Sequence, residues 1–133
     1  MQKEAMLYEK LPGESVHCFL CAHHCRIRDQ EYGFCGVRQN IHQTLYTYAY
    51  GVAIANHIDP VEKKPLYHFL PGTLAYSIGT AGCNFQCGFC QNWQISQAAE
   101  RIRSGANYGL PLAPADVVGR ALANHCRSIA YTY

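Results

Sequence analysis

The sequence predicts an α/β chain, and three observations predict it. Thr73 to Ile78 reads as a buried strand, a glycine-rich loop with three cysteines follows it directly, and a helix opening at Pro114 leads into a second strand-like run, Ser128 to Tyr133. Strand, loop, helix, strand is one βαβ unit of a parallel sheet. The expected organisation is a Cys-rich N-terminal metal-binding module over residues 1–39, a short β segment and loop over 40–72, and the parallel-sheet unit over 73–133. A two-strand parallel sheet leaves faces and edges uncovered, so the sequence reads as the first part of a longer domain.

Composition narrows the function classes. With 133 residues, 49% apolar and 15% charged, the chain is an ordinary globular one. Its formal charge of +2 comes from 11 basic and 9 acidic side chains without a block of either sign, which argues against a nucleic-acid partner. No apolar run approaches the ~18 residues of a membrane span, and Met1-Gln2-Lys3-Glu4 lacks a signal-peptide core, so a cytoplasmic location away from membranes is expected. In a reducing compartment eight cysteines point to metals rather than disulfides, and seven of them fall into two tight groups.

Taken in order, Met1 to Glu14 is polar with a Pro12-Gly13 turn and reads as a lead-in outside any core. Cys18, Cys21, Cys25 and Cys35 then offer four thiolates inside eighteen residues, with His17, His23 and His24 alongside. Four soft ligands complete a shell for structural zinc, and they equally suit a second iron-sulfur cluster; spacing leaves both open. The histidines are expected to be solvated or to support the ligands. From Asn40 to Asn56, β-branched and aromatic runs broken at Gly51 read as a pair of short strands, their tyrosines structural. Asp59-Pro60, Lys64-Pro65 and Pro71-Gly72 mark His57 to Gly72 as loop, with Glu62-Lys63-Lys64 open between a solvated turn and a segment packed at the mouth of a functional site. Trp93 to Arg103 begins a helix, Ser104 to Pro111 is irregular, and the helix from Pro114 carries Val117, Val118, Ala121, Leu122 and Cys126 on its apolar face. Cys126 is expected to be a buried small hydrophobe there.

The chemistry concentrates in Gly79 to Asn92. Cys83, Cys87 and Cys90 stand at C-x3-C-x2-C, and three thiolates on a short loop can hold three irons of a 4Fe-4S cube while leaving the fourth without a protein ligand. Gly79, Gly82 and Gly88 supply backbone freedom for a loop wrapping such a body, and Phe89 is placed to shield one side of it. Zinc with a fourth ligand from elsewhere, or inert thiols, are the plainer readings.

The C-x3-C-x-aromatic-C loop after a first strand resembles the radical S-adenosylmethionine superfamily. Cys18-x-Leu20-Cys21-x-His23-x-Cys25-x-Ile27, Gly33-x-Cys35-Gly36-Val37-Arg38, Asp59-Pro60-x-Glu62 through Phe69, and the cysteine loop through Ser96 more closely resemble the radical enzymes of the AmmeMemoRadiSam system, which are similar to pyruvate formate-lyase activating enzyme. Ala22 stands where that family usually has proline, and Gln30 where a turn glycine is common. The resemblance implies an oxidoreductase-type enzyme with a partial (β/α)6 barrel, of which this chain carries the first βα unit and second strand only and is by itself inactive. It implies a 4Fe-4S cluster on Cys83, Cys87 and Cys90, S-adenosylmethionine whose adenine meets backbone around Phe89 and Gln91, and a 5′-deoxyadenosyl radical that takes hydrogen from a protein glycine or a small molecule. An electron donor such as flavodoxin or ferredoxin is the implied partner. Two competing classes are a non-enzymatic scaffold of two zinc-bound cysteine knuckles and a simple electron carrier, the latter needing a fourth cysteine for which Cys126 is the free candidate.

Overall fold

The computed structural model describes residues 2–132; Met1 and Tyr133, the ends of the expected lead-in and last strand, lie outside them. The chain folds as two compact units, Met1–Tyr50 with Ala81–Tyr108, and Gly51–Thr80 with Gly109–Tyr133.

The first unit is built from six short strands: β1 (Lys3–Glu4), β2 (Tyr8–Leu11), β3 (Ser15–Cys18), β4 (Arg26–Ile27), β5 (Arg38–Ile41) and β6 (Thr44–Thr47). They form two antiparallel sheets, ordered β2-β3-β4 and β1-β6-β5. Ala5, Val16, Cys18, Ile27 and Leu45 are buried together as the core, with Tyr8 and Cys25 packed against it. The expected lead-in is therefore structured: β1 pairs with β6, β2 pairs with β3, and Ala5 between them is buried. Its small apolar share hid this, because two-residue strands gain their place from the partner edge and not from their own pattern. The β5–β6 turn is His42-Gln43, both at positive φ (49° and 59°), so the expected strand pair turns there and not at Gly51. Gln30 also sits in the left-handed region at φ 64°. The unit is completed by α1 (Trp93–Ser96) and α2 (Ala99–Arg103). The single helix expected from Trp93 is thus broken at Gln97-Ala98, and the break buries Ser96 and Ala98.

The second unit holds β7 (Val52–Ala53), β8 (Ala55–Pro60), a one-turn 3-10 helix (Val61–Lys63), β9 (Leu74–Gly79), β10 (Leu110–Pro111), α3 (Pro114–Ala123) and β11 (Ser128–Tyr131). Proline at the first helical position and the Asp116 carboxylate, accepting the Ala113 N–H at 3.2 Å, start α3. Val117 and Ala121 face inward with Tyr76, Ile78, Leu112, Ala53 and Cys126, whereas Val118 and Leu122, expected on the same face, are exposed. Cys126 lies just beyond the helix and is buried, as expected of a small hydrophobe. β9 is buried along nearly its whole length, as a central strand must be.

The barrel expectation does not hold. β9 and β11 do pair in parallel, Ala75 opposite Ser128 through Ile78 opposite Tyr131, but the other edge of β9 is taken by β8 running antiparallel, from Gly79 opposite Ala55 to Leu74 opposite Pro60. A barrel start needs parallel neighbours linked by crossovers, and an antiparallel strand in that place makes a mixed three-stranded sheet instead. Elsewhere the described residues form small antiparallel sheets, with no barrel and one helix of more than five residues. The stretch expected as loop from His57 begins inside β8; Pro60 is tolerated because it ends an edge strand. No helix among the described residues is long and apolar enough to cross a membrane.

Candidate metal centre

Between β9 and α1 the chain makes a loop without regular structure, and this loop carries Cys83, Cys87 and Cys90. All three thiols are free, Cys87 exposed and the other two half-buried. The loop is fastened at its base: Gly82 N–H donates to Ile95 O at 3.1 Å, and the Cys90 N–H closes a turn onto Cys87 O at 3.2 Å. Gly82 holds φ 86°, and a Cβ there would strike the Val37 side chain and come within 2.6 Å of Cys35 O. The conformational freedom expected of three glycines is thus used at Gly82; Gly79 and Gly88 are not left-handed. Phe89, expected as a shield, is 91% exposed, and Gln91 two residues on is exposed as well.

Two groups stand near the loop, of which Ser96 was not assigned a role from sequence. Buried Ser96 places its Oγ 3.3 Å from Cys90 Sγ, an oxygen–sulfur contact of the kind that tunes a metal-bound thiolate. His23 of the N-terminal module donates from Nε2 to Asn84 O at 2.7 Å and stacks on Phe34 at 4.1 Å between ring centroids. His17 is engaged by Glu9 at 2.8 Å and by His24 at 3.3 Å. Each of the three histidines thus has a partner other than a thiol. A cavity of about 190 Å³ opens between the two cysteine groups, with Cys35 and Cys83 in its wall together with Gln86, Gln97, Glu100 and Arg103. It offers a carboxylate, a guanidinium and carboxamides, and its size suits a small polar group rather than a whole nucleoside.

In the N-terminal module, Cys18 N–H donates to Cys25 O at 2.9 Å, closing a turn with Cys21 at its tip. A second turn, Gly33 to Arg38, is closed by Gly33 N–H on Arg38 O at 2.8 Å and carries Cys35. Burial pushes the Cys35 thiol pKa up, while the Val37 N–H aimed at it and the Arg38 charge pull the other way. Arg38 is 7% exposed and donates from Nη1 to Cys18 Sγ at 2.9 Å and from Nη2 to Met6 O at 2.7 Å. Cys126, the free candidate for a fourth cluster ligand, is buried in the core of the second unit.

Among the described residues no three metal-binding side chains stand together as they would around a single ion. A cluster seats each thiolate on a different iron and so asks for sulfurs spread around a larger body. Cys83, Cys87 and Cys90 are three soft, free thiols carried on one fastened loop.

The chain is 44% identical over 132 residues to the uncharacterized protein MJ0808 of Methanocaldococcus jannaschii, covering 98% of this chain and 38% of that protein. It is 34% identical over 82 residues to the uncharacterized protein MJ0674 of the same organism, covering 61% of this chain and 19% of that protein. The chain therefore spans well under half the length of these relatives. No family model matches it, and no solved structure does.

Proposed function

We propose that this chain carries the cluster-binding part of a radical S-adenosylmethionine enzyme, with Cys83, Cys87 and Cys90 as the thiolates that hold a 4Fe-4S cluster. The observation that carries the reading is the loop itself: three free thiols, half-buried to exposed, outside regular structure and fastened at the base through Gly82 and Ile95. When bound, such a cluster supplies one electron for reductive cleavage of S-adenosylmethionine and an iron open to that ligand. The chain's part is binding and orientation. Ser96 adds a polar contact at Cys90, and exposed Phe89 gives the loop an apolar surface for a flat ring. The substrate, a glycine in a protein or a small molecule, and an electron donor of the flavodoxin or ferredoxin kind belong to the proposal for the whole protein.

The test is anaerobic reconstitution of the full-length parent protein with iron and sulfide, followed by assay of bound iron, acid-labile sulfide and release of methionine and 5′-deoxyadenosine. The expected result is both cluster and cleavage in the parent and neither in Cys87→Ala, whose exposed side chain leaves the circular dichroism unchanged. An iron-free protein, or cleavage undiminished in that variant, overturns the reading. A cluster that forms without any cleavage points instead to an electron carrier.

A further inference from the structure

We infer that the N-terminal cysteines form a second, independent metal centre: a zinc ion on Cys18, Cys21, Cys25 and Cys35, with Arg38 as the positioning residue that offsets half of its net negative charge. The inference goes beyond the cluster loop and does not depend on it. It starts from Arg38, a side chain always cationic, 7% exposed, and paired with no carboxylate among the described residues. A buried guanidinium without an anion is costly. Its polar partners are Cys18 Sγ at 2.9 Å and the carbonyl of Met6 at 2.7 Å, so the sulfur side is where an anion belongs. Four thiolates around a divalent ion carry two net negative charges, which is the counter-charge that this position lacks.

The backbone already has the shape such a centre uses. Two tight turns present the cysteines, one closed by Cys18 N–H on Cys25 O and the other by Gly33 N–H on Arg38 O. They face each other, since a Cβ on Gly33 would lie 3.8 Å from Cys25 Sγ. Both ring nitrogens of His17 and one each of His23 and His24 are engaged elsewhere, and the four cysteines already fill a tetrahedral shell. The thiols are not drawn to one point in the structure, and the ion supplies that step, as metal binding and local ordering are coupled.

The experiment measures zinc in the full chain bearing Cys83→Ala, Cys87→Ala and Cys90→Ala, which removes the loop thiols and separates this centre from the proposed cluster. Expected are about one zinc per chain and, after replacement by cobalt(II), an intense sulfur-to-cobalt charge-transfer band. Arg38→Met should weaken zinc in competition with a chromophoric chelator by about 10- to 100-fold, with partial rescue by Arg38→Lys. Half-buried Cys21→Ser keeps the test open if Cys18→Ser fails to fold, and should lose the cobalt band. Absence of zinc, iron with labile sulfide in its place, a cobalt band intact in Cys21→Ser, or unchanged affinity in Arg38→Met would each overturn the inference.

Discussion

Gly82 is where the loop's path is decided by a missing side chain. Its φ of 86° costs an L residue about 1–2 kcal/mol, and its Cα points at the Val37 side chain and the Cys35 carbonyl, where a methyl group has no room. Gly82→Ala should therefore lower stability by at least about 2 kcal/mol in urea unfolding, from the backbone term plus the overpacking. Gly88→Ala, with open space around its Cα, should stay within about 0.5 kcal/mol of the parent. Equal effects at the two positions would mean that the loop is not seated as described. The sequence shows three glycines around the cysteines and no way to rank them, because a positive φ is set by what the backbone passes, here the turn bearing Cys35. Arg38 was equally hard to read. From sequence it figures only as the end of Gly33-x-Cys35-Gly36-Val37-Arg38, and the fold adds that it is buried against Cys18.

At the scale of elements, β8, its following 3-10 turn and β9 are tied by one carboxylate. Buried Asp59 on β8 accepts Lys63 Nζ at 2.7 Å, Ser77 Oγ of β9 at 2.9 Å and Lys64 Nζ at 3.3 Å. The Lys63 hydrogen bond first, then those of Ser77 and Lys64, hold its pKa down to about 2 against the ordinary 3.8. A carboxyl whose pKa is depressed by folding adds stability that is fully present above its unfolded value and fades as pH falls through the folded one. Asp59 should thus contribute up to about 2 kcal/mol at neutral pH, lost between about pH 4 and pH 2. The stability difference between the parent and Asp59→Asn, followed by urea titration, should shrink across that window; a difference independent of pH would assign the ties a purely geometric role. The cluster Glu62-Lys63-Lys64, left open from sequence between a solvated turn and a packed segment, has two of its charges committed to this carboxylate and the third to the Gly72 N–H at 2.7 Å. What sequence could supply was the strong local signals: the buried strand β9, the proline-started helix α3 and the buried Cys126. Turn chemistry that violates residue preference, such as His42-Gln43 at positive φ, carries no such signal and was missed.

For the whole molecule, the distribution of cysteines across the two units is the fact with consequences. All seven clustered cysteines lie in Met1–Tyr50 with Ala81–Tyr108, and the other unit holds only Cys126 in its apolar core. The grouping of the cysteines was legible from spacing alone, whereas the mixed sheet was not, since nothing in β8 announces that it would take the edge of β9 that a parallel neighbour was expected to fill. Among the described residues of the first unit the core cluster has five members, one of them a cysteine, Cys18, with Val37, Ala81, Ala98 and Ile102 buried besides and two-residue strands among its edges. On the proposed reading, metal binding would supply folding energy to that unit, while the second unit, with β9 buried and α3 packed through Val117 and Ala121, draws on apolar burial. Amide hydrogen exchange of the metal-loaded chain before and after treatment with a chelator should separate the two: protection in β3, β4 and β5 should fall by at least about tenfold, as loss of a bound ligand implies, and protection in β9, α3 and β11 should hold. If both sets of amides lose protection together, stability is shared across the chain and the metals do not belong to one unit's folding; if neither does, the cysteine groups hold no metal that matters to the fold.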